Sequence, residues 1–378
     1  MHTITEGLMK AGHEVTLITI YTHKHDLELD KLPQDYIERT NIKGIFVDTR
    51  VNLVDAFSTL ITQDSYNVSR FFSTDFDIIL TKLLRKQKFD IVHLESLFMT
   101  PYIGTIRRFS KAKVVLRSHN LEYIIWERVA SGTRNFAKKA YLKYLSRQLK
   151  AYELDVITRM DGIVSISYGD QNHYQQLGLK KPIVNIPFGI DIENYPLTNT
   201  PPSPTLFHLG AMDWTPNIEG VLWFLEEVWP IVHEKHPELK LHLAGRKMPE
   251  HLMQLEYPNV EIIGEVEDAK QFMRAHQIMI VPLLSAGGIR VKIIEGMALA
   301  KNIVSTSVGA EGIEAVHGTD FMVADEPAKF AEAISTLLNN QADAEKMQQN
   351  ARTRAENVYD NKVLIDQLVA FYEDLLSR

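Results

Sequence analysis

The sequence predicts an α/β protein with two doubly wound domains, each built on a parallel sheet that helices cover on both faces. Its 378 residues suffice for two domains, at about 100–200 residues per domain. Hydrophobic residues make up 45% and charged residues 24%, the ordinary mixture of a globular protein. In both halves, apolar runs of strand length alternate with helix-length segments, which is the pattern of parallel strands buried on both faces.

In the first half, five segments read as strands and are separated by amphipathic stretches that read as helices. The strands are EVTLITI, FDIVHLE, KVVLRSH, GIVSIS and PIVNIPF. The chain opens on HTITEGLMKAG, which resembles the end of a helix, whereas a doubly wound domain usually opens with a strand and a glycine-rich loop. We therefore expect the N-terminal domain to lack its first strand because the chain starts inside a longer natural sequence. A domain that is built differently is the alternative.

The segment TNTPPSPT (residues 198–205) is the best linker candidate, because its prolines and small polar residues break helices and strands. Beyond it the predicted strands are LFHLGAM, LKLHLAG, VEIIGEV, IMIVPLL and NIVSTSV. The predicted domains are residues 1–190 and 195–355. Because doubly wound domains bind ligands at the carboxyl ends of their strands, site residues are expected there.

Charge is distributed unevenly along the chain, whose formal net charge is −7. Residues 1–185 carry a net charge of +6, residues 186–378 carry −13, and residues 101–150 alone hold 12 basic and 2 acidic residues. Such a basic stretch attracts anionic surfaces. The predicted helix around residues 133–155 interleaves basic with aromatic and leucine side chains: Lys138, Lys139, Lys143, Arg147 and Lys150 with Tyr141, Leu142, Tyr144 and Leu145. We expect this helix to lie on an anionic bilayer. The alternative is that Tyr and Leu pack inward and the lysines are only solvated.

Several classes of protein and site are excluded by what the sequence lacks. There is no run of about 18 apolar residues, so no membrane span is expected. Cysteine is absent, which removes disulfides, thiolate metal sites and cysteine nucleophiles. Zinc-type histidine spacing, a GxSxG elbow and a GxxxxGK(S/T) loop are also absent. Asp75 and Asp77 match a DxD signature, but they lie at a predicted helix start that Ser73 or Asp75 would cap, so no metal site is predicted.

The strongest candidate for a ligand site is SAGGIRVKIIEGM (residues 285–297), where a strand runs into a small-residue turn and then a helix. Gly287 and Gly288 let a ligand approach the backbone, and free N–H groups at a helix start favour a phosphate. Arg290 and Lys292 add positive charge, and Glu295 is placed to accept hydrogen bonds from two ribose hydroxyls. These are the parts needed to hold a sugar nucleotide. The alternative is a surface Lys292–Glu295 pair beside a tight turn.

A second strand, turn and helix start lies at HLGAMDWTPNIEG (residues 208–220). Gly210 allows close approach of a diphosphate, and Asn217 or Thr215 can cap the helix. A capped helix with Trp214 as packing is an equal alternative. Past the next strand, LAGRK places Arg246 at a strand end, where it either binds a phosphate or is solvated.

In the first half, polar residues gather at the ends of two predicted strands. RSHNLEYIIWER (residues 117–128) follows one strand, and His93 and Glu95 end another. Histidine changes charge near neutral pH and is a good donor to sugar hydroxyls. This density of polar groups favours a site, although a single histidine is more often structural.

Several motifs together resemble family 4 of the retaining glycosyltransferases, which have the GT-B fold. They are GGIRVKIIEGMALAKNIVSTSVGAEGI (residues 287–313), RSHNLEYIIWER, the SIS after Asp161, IPFGIDIENY, LGAMDWTPN and the C-terminal helix with Tyr372. The resemblance covers nearly the whole chain, and its motifs are specific only in combination. It implies two Rossmann-like domains that face a cleft, an acceptor-side first domain completed by the last helix (residues 361–377), and a donor-binding second domain.

The resemblance also implies roles for individual residues. Glu295 matches the second of the family's two glutamates, which holds the ribose; Gly287 occupies the first position, so contact with the donor sugar is expected from backbone N–H groups or elsewhere. The family's Arg and Lys in the first turn of the donor domain are absent, and Arg290 and Lys292 are expected to substitute for them. His119 matches the histidine that contacts the donor sugar. The predicted site residues are His119 and Glu122 as catalytic, His93, Glu95, Arg117 and Asn120 on the acceptor side, and Gly210, Arg246, Gly287, Gly288, Arg290, Lys292 and Glu295 for the donor.

The expected function is transfer of a sugar from a nucleotide sugar to a glycan or lipid-linked glycan, with retention of configuration and without a metal or other cofactor. A catalytically impaired or truncated GT-B protein that binds nucleotide or a partner without turnover is the alternative, and a sugar-nucleotide epimerase fits the motifs less well. No nucleic-acid partner is expected. The expected location is the cytoplasm, with peripheral contact at the inner face of the membrane.

Overall fold

A computed structural model describes residues 2–23, 27–49, 66–197, 203–285 and 287–378. The chain divides into two compact units, one of Met1–Pro187 with Ile365–Arg378 and the other of Phe188–Leu364. Most of the predicted linker, residues 198–202, lies outside the described ranges. Both units have the α/β architecture that the sequence predicts.

The first unit contains two parallel sheets. Its strands are β1 (Ile18–Tyr21), β2 (Lys43–Phe46), β3 (Ile91–Glu95), β4 (Lys113–Ser118), β5 (Gly162–Ser165) and β6 (Ile183–Asn185). Strands β1 and β2 pair with each other, and the other sheet has the order β3-β4-β5-β6. All five strands predicted for the first half are therefore present, and the short strand β2 is one that the sequence reading missed.

Helices surround these strands. They are α1 (His2–Lys10), α2 (Gln34–Thr40), α3 (Tyr66–Ser69), α4 (Thr74–Lys86), α5 (Ile103–Phe109), α6 (Glu122–Gly132), α7 (Phe136–Thr158) and α8 (Tyr168–Gln176). The C-terminal helix (Asn361–Ser377) also contributes, because Phe371 and Leu375 lie directly against Gly162 at the start of β5. The apolar stripe of that helix thus finds its partner in the first unit.

The second unit is built on one six-stranded parallel sheet with the order β12-β11-β10-β7-β8-β9. Its strands are β7 (Ser203–Leu209), β8 (Lys240–Ala244), β9 (Val260–Gly264), β10 (His276–Val281), β11 (Asn302–Ser305) and β12 (Met322–Val323). Its helices are α9 (Thr215–Trp223), α10 (Trp229–Lys235), α11 (Glu250–Met253), α12 (Ala269–Ala275), α13 (Val291–Ala298), α14 (Ser307–Ala310), α15 (Pro327–Asn339) and α16 (Gln341–Arg354).

Strand β10 shows why these strands read as continuous apolar runs. Ile278 and Ile280 belong to one hydrophobic core, whereas Met279 and Val281 belong to another, and all four are fully buried. Since successive side chains of a strand point to opposite faces, both faces of the sheet are covered.

The strand order reverses at β7, which is flanked by β8 on one side and by β10 on the other. The loops that leave β7 and β10 therefore diverge, which opens a crevice at the carboxyl ends of these two strands. The segments that follow β7 and β10 are the two that the sequence singles out for donor binding.

Candidate functional site

In the second unit, Lys292 connects the segments that follow β7 and β10. It is the second residue of α13, and its Nζ donates to the carbonyl oxygen of Leu209 at 3.2 Å and to Asn217 Oδ1 at 3.1 Å. Burial and the neighbouring charge of Arg290 lower the pKa of Lys292 to about 7. The structure thus places a tethered amine at the crevice where the sheet order reverses.

Asn217 lies inside α9 rather than capping it, because the helix begins at Thr215 with Trp214 in the N-cap position. Its buried amide donates to the carbonyl oxygen of Ala211 at 2.8 Å and accepts from Lys292. A methyl group on Gly210 would lie 2.8 Å from Asn217 Nδ2, which is too close. Asn217, which the sequence suggested as a helix cap, therefore lies between Gly210 and Lys292 and contacts both.

Arg290 is only 5% exposed and donates to carbonyl oxygens of two loops. Its guanidinium bonds to Gly287 at 2.9 Å, Val308 at 3.0 Å, Gly309 at 3.3 Å and Glu311 at 3.4 Å. Arg290 therefore holds the turn before α13 against the loop after β11. A direct contact between Arg290 and a diphosphate stays a prediction.

The turn itself is open. Gly288 has a φ of +78°, a conformation that favours glycine, and a methyl group on Gly287 or Gly288 would meet no atom within 4 Å. Ala286, in the same predicted turn, lies outside the described residues. The side chain of Arg246 is exposed, while its carbonyl oxygen accepts from the N–H of Met212 at 3.0 Å.

Glu295 has a partner that the sequence reading missed. The hydroxyl of Tyr195 donates to Glu295 Oε1 at 2.7 Å, and Tyr195 is 5% exposed. Burial and the carboxylate raise the pKa of Tyr195, so its hydroxyl remains a donor. Lys270 lies over the Tyr195 ring at 4.3 Å. In the sequence, the one indication of a role for Tyr195 is its position at the end of the motif IPFGIDIENY.

The first unit brings four predicted residues together at the carboxyl ends of β3 and β4. Glu95 and Arg117 are opposite each other in the parallel register, and His93 lies two residues before Glu95 on the same face. The Glu95 carboxylate accepts from His119 Nε2 at 2.7 Å, and Arg117 NH1 lies 3.4 Å from both of its oxygens. His93 Nε2 is 3.6 Å from Glu95 Oε1, and His93 Nδ1 is hydrogen-bonded to the hydroxyl of Tyr372.

This environment decides the ionisation of Glu95. Burial alone would raise its pKa, but the hydrogen bond from His119 and the electrostatic interactions with His93 and Arg117 outweigh burial and hold the pKa well below its usual range. Arg117 is 1% exposed, whereas the side chain of His119 is 32% exposed. Glu95 is therefore a buried anion from which His119 extends toward solvent.

A second carboxylate lies behind this loop. Glu153, in α7 and 1% exposed, accepts from the backbone N–H groups of Glu122 at 3.4 Å and Tyr123 at 3.2 Å, and so caps α6. Burial raises the pKa of Glu153 to about 8. Burial also raises the pKa of Glu122, while the Asn120 side chain bonds to its carboxylate and opposes that rise. In the sequence, Glu153 reads as one more charge on an amphipathic helix, so its burial had no local signal.

The DxD signature is part of a helix start. Ser73 caps α4 by accepting from the N–H of Phe76 at 3.4 Å, and Asp77 accepts from the hydroxyl of Thr105 at 2.5 Å. Among the residues that the structure describes, no group of three or more His, Asp or Glu side chains is arranged to hold a metal ion. Within the same ranges, no helix has both the length and the apolar character to span a bilayer.

Known proteins resemble this chain along most of its length. The family model described as Glycosyltransferase Family 4 matches residues 1–194, and the one described as Glycosyl transferases group 1 matches residues 203–340. An uncharacterised 44.6 kDa protein in the cps region of Klebsiella pneumoniae is 24% identical over 376 residues, covering 96% of this chain and 92% of that protein. The capsular polysaccharide biosynthesis glycosyltransferase CapM of Staphylococcus aureus is 29% identical over 131 residues, or 34% of each chain.

Solved structures share the fold at low identity. Sucrose-phosphate synthase from Thermosynechococcus elongatus has a TM-score of 0.68 at 16% identity, covering 99% of this chain and 92% of that one. Anabaena HepE in complex with UDP has a TM-score of 0.60 at 13% identity, covering 95% and 100%. The predicted GT-B fold is thereby confirmed. Because one family model alone matches more than half of its residues, this chain belongs to Glycosyltransferase Family 4.

Proposed function

We propose that the chain transfers a sugar from a nucleoside diphosphate sugar to a glycan or lipid-linked glycan, with retention of configuration, in the synthesis of a surface polysaccharide. The observation that carries the donor assignment is the grouping of Lys292, Asn217 and the open Gly288 turn at the reversal of the strand order. Such a crevice is where doubly wound domains bind nucleotides. Two comparisons support the proposal: HepE was solved in complex with UDP, and CapM is named for capsular polysaccharide biosynthesis.

Within the proposed donor site, the roles follow from chemistry. The negative charge of a bound diphosphate favours the protonated form of the Lys292 amine, which takes up a proton from solvent and supplies positive charge. The backbone at Gly287 and Gly288 is accessible for N–H contacts to phosphate oxygens. Glu295, oriented by Tyr195, accepts from the ribose hydroxyls. Arg290 keeps the turn in place. In the first unit, His119 contacts the sugar, and retention rests on the family to which the chain belongs.

A nucleotide-sugar screen by thermal stabilisation and by release of the nucleoside diphosphate tests this function. One nucleotide sugar should stabilise the chain and be hydrolysed slowly without acceptor. Glu295→Ala should weaken nucleoside diphosphate binding by about 1.5–3 kcal/mol, the value of hydrogen bonds to a charged group. Glu332→Gln, which removes an exposed carboxylate in α15, is the matched control and should bind normally. Binding without any turnover would instead favour the catalytically impaired alternative.

We also propose that α7 and the end of α6 rest on an anionic membrane. Phe136 is 85% exposed, Val129 50%, Tyr141 43% and Tyr144 39%, while Leu142, Leu145 and Leu149 are buried. The aromatic side chains therefore share the outer surface with the basic residues of this segment, an arrangement that suits the headgroup region of a bilayer. Each basic residue contributes about 1 kcal/mol near an anionic leaflet, so several together support reversible binding.

Vesicle sedimentation tests this surface. The chain should partition to anionic vesicles at low salt and be released by salt. Reversing Lys138, Lys139 and Lys143 to Glu should abolish partitioning, whereas reversing the exposed Lys82, Lys86 and Lys88 to Glu changes the net charge equally and should leave it. Equal partitioning to neutral and anionic vesicles, or equal losses in the two triple variants, would refute the membrane role.

A further inference from the structure

The histidine predicted to contact the sugar is held by a chain of polar side chains that ends in the last helix of the protein. His119 Nε2 lies 2.7 Å from Glu95 Oε2. On the other side of the same carboxylate, His93 Nε2 approaches Oε1 at 3.6 Å, and His93 Nδ1 meets the hydroxyl of Tyr372. Three elements of the first unit, namely β3, the loop after β4 and the C-terminal helix, therefore meet at one carboxylate.

The directions of the hydrogen bonds follow from charge. Because Glu95 is an anion with only acceptor atoms, the nitrogen that faces it must carry a proton, which places a proton on Nε2 of His119. Nε2 of His93 lies 3.6 Å from the same carboxylate, beyond hydrogen-bond distance, but the negative charge still favours a proton on Nε2. In the neutral ring, Nδ1 then accepts from the Tyr372 hydroxyl. The Tyr372 hydroxyl, by bonding to Nδ1 of His93, thus sets the orientation of that ring and the nitrogen that carries its proton.

We propose that Glu95 is a positioning residue for His119, and that Tyr372, by orienting His93 beside Glu95, lets the C-terminal helix take part in building the site around His119. This differs from the sequence-based assignment of Glu95 and His93 to acceptor contact. It deepens the proposed function, on which it rests for the role of His119 toward the sugar. The buried Arg117 balances the charge of Glu95 from β4 and keeps the carboxylate ionised.

The first test is NMR of the full chain labelled with ¹⁵N-histidine, without substrate, and it holds whether or not the transfer activity is found. His119 should show its proton on Nε2, with a downfield and slowly exchanging N–H resonance identified by its loss in His119→Gln. Glu95→Leu, which leaves no acceptor at this position, should remove this resonance. Glu127→Leu, which removes an exposed carboxylate from α6, should keep it. Tyr372→Phe should keep it and disturb the corresponding resonance of His93.

The outcomes separate this inference from the proposed function. A neutral His119 ring that carries its one proton on Nδ1 in the unaltered protein overturns the positioning role without need of any variant, and so does a His119 resonance that survives in Glu95→Leu. If the protein transfers sugar, Glu95→Leu should lower kcat at least about tenfold, short of the about 10²–10⁴-fold loss of an acid–base group itself. The KM for the donor should stay within about twofold, because donor affinity is assigned to the second unit. An unchanged kcat would contradict the inference, whereas failure to find any donor would affect only the proposed function.

Discussion

Replacing Tyr195 by Phe removes one hydroxyl and leaves the buried ring in place. The structure gives that hydroxyl one acceptor, Glu295 Oε1 at 2.7 Å, and the acceptor is charged. Hydrogen bonds to charged groups contribute about 1.5–3 kcal/mol. Since Glu295 is only half-buried, water replaces part of the lost bond, and we expect the lower end of this range. Urea unfolding of the full chain should show a loss of about 1.5 kcal/mol in the transition of the second unit.

The same substitution tests whether Tyr195 acts through Glu295. If Tyr195 orients the carboxylate for a ribose, Tyr195→Phe should weaken nucleoside diphosphate binding in the unaltered background and have no further effect in Glu295→Ala. Titration calorimetry on the four proteins of this double-mutant cycle measures the coupling. Strictly additive losses of affinity, or an unfolding free energy that Tyr195→Phe leaves unchanged, would refute the reasoning.

Three further predictions follow from single contacts. In the unfolded chain Glu153 ionises near pH 4.5, whereas in the folded chain it keeps its proton until about pH 8. The contribution of Glu153 to the free energy of unfolding is therefore complete below pH 4.5 and is lost as the pH rises to 8. Glu153→Gln should therefore reduce the fall in unfolding free energy between pH 5 and 8, by up to about 1.4 kcal/mol per pH unit, and an unaltered pH slope in urea titrations would contradict this. A methyl group on Gly245 would overlap the carbonyl oxygen of Gly210. Gly245→Ala should therefore lower the free energy of unfolding by about 1–3 kcal/mol or more, as other overpacked core substitutions do. In the same thermal melt, the control Gly104→Ala, which adds a methyl group in open space on α5, should be neutral or stabilising. Because the pKa of Lys292 is about 7, nucleoside diphosphate binding should take up a proton, and the affinity should fall by up to about tenfold per pH unit above about pH 7.5. In calorimetry, Lys292→Met should bind weakly, with an affinity that does not change with pH. If the affinities of the two proteins depend on pH in the same way, Lys292 does not contact the diphosphate.

The sequence predicted most of the fold because the strands of both units are apolar runs, and this pattern is local. The places of Gly210, Lys292 and Glu295 followed from the same locality, since each lies within a strand, turn and helix unit. The partners of these residues did not follow. Tyr195 precedes Glu295 by 100 positions and Tyr372 follows His93 by 279, and nothing in either stretch marks the pairing. Arg290 shows a different difficulty. An arginine at a helix start suits a phosphate, but only the structure shows that its guanidinium already donates to the carbonyl oxygens of Gly287 and Gly309.

The C-terminal helix also sets an order of events during synthesis. Residues 1–187 are synthesised before the second unit, yet the helix that lies against Gly162 is made only after the whole second unit. At about 5–20 residues per second, this delay is roughly 10–40 s. Throughout that interval the nascent first unit carries an uncovered apolar face on β5 and a His93 without Tyr372. A chain that stops a few residues before Phe371 keeps that face uncovered permanently, so a late stop codon should be as harmful to folding as a lesion in the core.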